Sequence, residues 1–212
     1  MAEPSDSQVL IIKKMKRLIY VLCFFLPLLG YGQTGYKIGD KVNNFTLINA
    51  IDTAKVSLND QLQSKGLVIV FTSNDCPYSK LYEERIIEIA KEFKNKGINF
   101  ILINPNSPKN SVDDNMESMI RKSKEKSYFF PYLIDSKQTV ANIFGASRTP
   151  EVFILKNING SFVLVYKGAI DDNPQLASDV TTSYLKNASI SIIGNKAIKT
   201  SETRATGCMI KR

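Results

Sequence analysis

No histidine occurs in the 212 residues. That excludes a Ser-His-Asp or Cys-His catalytic site and any histidine-ligated metal centre. Cysteine is scarce, with 3 in the chain: Cys23, Cys76 and Cys208. No metal site and no cofactor is expected from this set. The formal charge is +8, yet there is no long basic run and no nucleic-acid motif. The surplus Lys and Arg therefore read as a solvated basic surface, and no nucleic-acid partner is expected. The chain has no internal repeat and no sign of a second domain. A hydrophobic content of 43% suits one domain with a real core.

The N-terminus has the pattern of an export signal. Lys13, Lys14, Lys16 and Arg17 form a positive region ahead of the apolar stretch Leu18 to Leu29. That stretch is about a dozen residues, the length of a signal core and too short for a membrane span. Gly30 and Gly32 supply small residues for a cut before Gln33. Residues 1–32 are expected to be this signal, with Met15 a tidier start than Met1. The alternative is an uncleaved anchor, the one route by which the chain would meet a membrane. The expected location is outside the cytoplasm, periplasmic or envelope-associated. Cleavage removes Cys23 and leaves Cys76 and Cys208, and an exported chain with two thiols can hold a disulfide.

The body of the chain is organised around Leu67-Val68-Ile69-Val70-Phe71-Thr72-Ser73-Asn74-Asp75-Cys76-Pro77. An unbroken, β-branched apolar run suits a strand buried on both faces. Pro77 fits a first helical turn, and Tyr82, Ile86, Ile89, Ala90 and Phe93 mark one helical face. Cys76 therefore sits where a buried strand ends and a helix begins. The helix N-terminus and Lys80, one turn on, favour its thiolate. Asp75 opposes it if its carboxylate points at the sulfur, and the sign of the balance stays open at this level. Asn99–Asn104 gives a second buried strand, parallel to the first. Ser111 with Asp114 resembles a helix-capping pattern. Further strands are expected at Tyr132–Asp135, after Pro150, and after the hairpin signal Asn159-Gly160. A closing helix is expected over Gln175–Leu185. The domain is expected over residues 36–190, with a flexible tail, 191–212, carrying Cys208.

Three motifs carry a family resemblance. Phe71-Thr72-Ser73-Asn74-Asp75-Cys76-Pro77-Tyr78-Ser79-Lys80 is similar to F-T-C-N-H-C-P-[YF]-V-K. Tyr82-Glu83-Glu84-Arg85 matches Y-E-x-R, and Gly207-Cys208-Met209-Ile210-Lys211 matches G-C-x-I-K. Together they resemble the peroxiredoxin-like thioredoxin family, within the redoxins that include the AhpC/TSA peroxiredoxins. The resemblance implies an α/β thioredoxin-like fold, a central mixed sheet flanked by helices. It implies that Thr149-Pro150 is the X-cis-Pro beside the reactive cysteine, leaving a backbone edge for a substrate chain. Ser73 stands in place of the family's first cysteine and Asp75 in place of its histidine, so an ordinary two-cysteine thioredoxin is not expected. The remaining Ser-x-x-Cys resembles the Thr/Ser-x-x-Cys of peroxiredoxins, although the proline that opens that motif is missing.

The resemblance implies an exported thiol-dependent oxidoreductase acting on a peroxide or on a protein disulfide or thiol, and reset by an external thiol. Cys76 would attack. Ser73 and, less cleanly in register, Arg148 would position the substrate. Thr72, Pro77, Lys80, Thr149 and Pro150 would line the cleft. Cys208 has two readings: a resolving thiol that bonds oxidised Cys76, or an unpaired or intermolecular cysteine. Two other functions stay open, a non-catalytic binding module on the same scaffold and a single-cysteine trap for client thiols.

Overall fold

The structure, a computed structural model, describes residues 35–212. Residues 1–32, with Met15 and Cys23, lie outside the described residues. In chain order the first elements are β1 (Thr46–Asn49), β2 (Lys55–Ser57), β3 (Gly66–Phe71), α1 (Pro77–Phe93), β4 (Ile98–Asn104) and α2 (Met116–Glu125). Then come β5 (Tyr132–Ile134), α3 (Thr139–Phe144), β6 (Arg148–Thr149), β7 (Glu151–Ile158), β8 (Ser161–Gly168), α4 (Tyr184–Ile193) and β9 (Cys208–Met209).

Seven strands form one mixed sheet in the order β2-β1-β5-β4-β3-β7-β8. β3 is buried along its whole length, as its apolar run requires. It pairs in parallel with β4 through the α1 crossover and antiparallel with β7. Asn159 and Gly160 both take positive φ, 52° and 77°, the backbone that a two-residue type I′ hairpin needs.

The strand period of two divides the core. Val68 and Val70 face one side, with Tyr82, Ile86, Ala90 and Phe93 of α1 and Leu185, Ala188 and Ile192 of α4. Leu67, Ile69 and Phe71 face the other, with Val140, Ala141 and Phe144 of α3 and, from the far end of the chain, Ile210. Each Val, Leu, Ile or Phe side chain among them, fully buried, contributes about 1.5–3 kcal/mol. The Tyr82-Glu83-Glu84-Arg85 motif serves this scaffold. Tyr82 Oη and Arg85 Nη1 both donate to Asp171, at 2.8 Å each, and so pin the loop after β8. Glu83 accepts from Tyr128 Oη at 2.7 Å and pairs with Lys122 and Lys126, which docks α2 on α1.

Two expectations are corrected. The closing helix is not Gln175–Leu185 but Tyr184–Ile193. Residues 173–181 are held in turns instead: Asn173 Oδ1 accepts from Gln175 N and Leu176 N, and Asp172 accepts from Thr181 N. Such side-chain bonds compete with a helix, while the inward face Leu185, Ala188, Ile192 starts later. The cap of α2 is Asn115, whose side chain accepts from Ser118 N at 2.8 Å. Asp114 is fully buried and belongs to the site described next.

Candidate active site

β3 delivers the chain to the head of α1, with Cys76 as the N-cap and Pro77 as the first helical residue. Cys76 Sγ is bonded to Cys208 Sγ, with 6.0 Å between their Cα atoms and 132 residues between them in sequence. This Cα separation lies in the normal disulfide range. Of the two readings of Cys208, the structure takes the internal bridge. The expectation of a flexible tail is corrected. The tail bonds along β8 through Thr203 N to Lys167 O and through Lys167 N to Ser201 O, at 3.0 Å each. It then forms β9, which pairs antiparallel with β6 in the register Arg148↔Met209 and Thr149↔Cys208.

That pairing occurs beside the cis peptide bond Thr149-Pro150. The backbone edge expected to stay open to a substrate chain is therefore occupied by the protein's own tail. Thr149 O lies 2.9 Å from Cys76 Sγ. A disulfide sulfur has no proton, so this is a close contact in the oxidised chain and becomes a thiol hydrogen bond only on reduction. Glu151 shapes the approach to the cis bond by accepting from Ser147 N and Arg148 N, at 2.8 and 3.0 Å. Burial pushes its carboxyl above the usual range, against the pull of those two N–H groups.

Every position of the tail motif has a physical reason. A side chain on Gly207 would place its Cβ 2.3 Å from Thr149 O and 3.0 Å from Pro150 N, and neither backbone atom can give way. Met209, the variable position, is 73% exposed. Ile210 is 5% exposed and donates its N–H to Ser147 O at 3.0 Å. Lys211 pairs with Asp75, and its backbone N–H donates to Asn106 Oδ1 at 3.0 Å. Arg212 bonds Asn142 and the carbonyl of Ala146. Gly207→Ala should therefore unseat the tail. The expected result is that Cys208 in the variant, purified without reductant, alkylates in the native chain. A variant that keeps the bridge at wild-type yield would contradict this steric account.

The structure places the other expected site residues in different surroundings. Ser73 is buried, and its hydroxyl donates to Asp114 Oδ2 at 2.7 Å while accepting from Asp75 N at 3.2 Å. Arg148 Nη1 donates to Gly207 O at 2.8 Å and so clamps the tail one residue before Cys208. Thr72 and Thr149 are buried, whereas Pro77 and Lys80 are exposed. Thr149 Oγ1 has no hydrogen-bond partner among the described residues. Asp75 is engaged by Lys211 and by Ser111 Oγ. The Lys211 hydrogen bond is the main cause that holds its carboxyl below the usual carboxylate range. The Lys211 and Lys80 charges and the Ser111 bond add to this, and burial opposes it. The charge that threatened the Cys76 thiolate is thus largely spoken for by the tail's own lysine.

The sequence reading missed the group beneath this layer. Asp114 accepts four hydrogen bonds: from Asn74 N at 2.7 Å and Asn104 Nδ2 at 2.8 Å on one oxygen, and from Ser73 Oγ at 2.7 Å and Asn106 Nδ2 at 2.8 Å on the other. Tyr132 Oη donates to Asn74 Oδ1 at 2.8 Å. Burial, helped by the Asp114 charge, keeps that phenol protonated far above the ordinary range. Asn106 then reaches the tail through Lys211 N. One carboxylate thus ties the loop that presents Cys76 to the strand that holds Cys208. The signal was Asn104, a buried polar residue that ends the apolar run 100–103, followed by Asn106. Among the described residues no cluster of three or more Cys, Asp or Glu is placed to hold a metal ion.

The model of the AhpC/TSA family matches residues 38–172. The thiol-disulfide oxidoreductase ResA of Halalkalibacterium halodurans is 25% identical over 136 residues, 64% of this chain and 72% of that protein. A hypothetical protein of Sinorhizobium meliloti 1021 is 30% identical with a TM-score of 0.77, over 84% of this chain and 96% of the other. An uncharacterized conserved protein of Geobacillus kaustophilus is also 30% identical, with a TM-score of 0.78, over 84% and 93% of the two chains. The fold is thioredoxin-like, as expected: a mixed sheet flanked by helices, with a cis-proline beside the cysteine at a helix head.

Proposed function

The chain belongs to the AhpC/TSA family, and from that premise we propose that it is a thiol–disulfide oxidoreductase whose working couple is Cys76 with Cys208. The observation that carries the reading is the bridge itself, which joins the cysteine at the head of α1 to a cysteine strand-paired beside Pro150. In the reduced chain Cys76, favoured as thiolate by the helix N-terminus, attacks a client disulfide. Cys208, held opposite, resolves the mixed disulfide, and an external thiol resets the pair. A resolving thiol so placed removes the premise of a single-cysteine trap. A peroxide substrate has less support, because the hydroxyl proton of Ser73 goes to Asp114 and Arg148 donates to the tail. Export remains part of the proposal. It draws on the pattern of residues 13–32 and on the tendency of internal disulfides to persist in oxidising compartments.

The test is reduction of a disulfide-containing model protein by the chain in the presence of a thiol reductant. Cys76→Ser is expected to fall to the reductant-only rate. A variant that keeps a wild-type rate above that of the reductant would remove Cys76 from the reaction. A wild-type chain no faster than the reductant alone would point instead to a binding module that uses the cleft without the sulfur.

A further inference from the structure

The tail displays what the edge beside Pro150 accepts. Its strand pairing with β6 and the bond from Ile210 N to Ser147 O use backbone alone, and would hold any extended segment. Three positions around Cys208 are read by side-chain chemistry. The residue before the cysteine lies against Thr149 O and Pro150 N, where no Cβ fits. The residue two beyond it, Ile210, is buried in the core cluster that includes Phe71, Phe144 and Phe153. The residue three beyond, Lys211, meets Asp75 at the head of α1. The intervening Met209 faces solvent and is not read.

We infer that this edge takes, in trans, an extended cysteine segment of a client protein with glycine before the cysteine, an aliphatic residue two beyond it and a cation three beyond it, Asp75 selecting the cation. The inference rests on the thiol–disulfide reading above. In the reduced chain only non-covalent anchors hold the tail, so a client segment of the same form can take its place. The Cys76 thiolate then attacks the client's cysteine sulfur. A Cys76–client bond forms, the client disulfide breaks, and the other client sulfur leaves as thiolate and takes up a proton. As the client segment leaves the edge the tail re-docks there, and Cys208, as thiolate, attacks Cys76 Sγ. That restores the Cys76–Cys208 bond and frees the client cysteine as a thiol. The client disulfide has gained two electrons, and the chain's dithiol has lost them. Asp75 touches no reacting atom in this scheme; it is a specificity-determining residue.

The experiment uses the full chain with Cys208→Ser, reduced, so that Cys76 adducts accumulate. The probe is the peptide Gly-Cys-Met-Ile-Lys, its cysteine activated as a mixed disulfide with thionitrobenzoate. Three further peptides carry valine for glycine, serine for isoleucine, or glutamate for lysine. The rate of adduct formation on Cys76 is read by mass spectrometry. The serine peptide should react about tenfold more slowly, from the lost apolar burial. The glutamate peptide should react about fivefold more slowly at low salt, the upper end for an exposed ion pair, and the valine peptide more slowly than the parent. Asp75→Lys should reverse the order of the lysine and glutamate peptides, which a merely structural Asp75 would not do. Equal rates for all four peptides would overturn the inference and leave the exchange function standing. No native Cys76 adduct with any peptide, where the unfolded chain forms one, would overturn both.

Discussion

Cys208→Ser is expected to lower the stability of the oxidised chain by about 5 kcal/mol, by the chain-entropy estimate for cross-linking residues 132 apart. The bridge ties the head of α1 to the last strand, so it closes a loop that spans most of the described chain. For a domain of this size that corresponds to a melting shift of roughly 15 °C. Denaturant melts of the oxidised chain, the reduced chain and the variant test it. The reduced chain and the variant should coincide well below the oxidised chain. Linkage makes the argument reciprocal. Whatever the bridge adds to the fold, the fold adds to the bridge, because β9, Ile210 and Lys211 hold Cys208 opposite Cys76 before the sulfurs meet. Oxidised and variant chains of equal stability would mean that the docked tail holds the fold without the bond.

Asp114→Ala is expected to cost about 4 kcal/mol, because it strips partners from four buried or half-buried donors at once. Asn104 and Asn106 could turn toward other acceptors only by breaking bonds they already make, to Tyr132 and to the tail. Asp114→Asn should cost less. It keeps one oxygen for two of the donors but sets an amide N–H₂ against Ser73 and Asn106. Asp113→Ala, at the exposed neighbouring position, should change stability by less than about 0.5 kcal/mol. Urea melts of the three variants decide the order. The alanine variant should also slow disulfide exchange in the folded state, since the Ser73–Asn74 loop and Lys211 N both hang on this carboxylate. Equal losses at 113 and 114 would remove Asp114 from the account.

The scaffold was legible because its rules are local. The β-branched run at 67–71, the helical face from Tyr82 to Phe93, Asn159-Gly160 and Pro77 each specify backbone geometry without help from distant residues. The closing helix was misplaced because residues 172–181 carry Asp, Asn, Ser and Thr, whose side chains capture nearby N–H groups. Cys76 could be found from its place at a strand-to-helix junction. Cys208 was one of two readings for the partner of its sulfur, and the choice stayed open because β6 and β9 are brought together across 58 residues of chain by contacts that no periodicity records. Asp114 was read as a cap for the same reason: its partners Ser73 and Asn74 lie far off in sequence, and only burial shows that its carboxylate faces inward.

The most direct test is a redox titration of the native full-length chain against thiol–disulfide buffers. Free thiols are alkylated at each step, the labelled sites are read by mass spectrometry, and circular dichroism reports the fold. Cys76 and Cys208 should become alkylatable together, in one reversible two-electron transition, while the chain stays folded. Cys208 labelled in the untreated native chain, or both sulfurs labelled only once the chain has unfolded, would contradict a working Cys76–Cys208 couple.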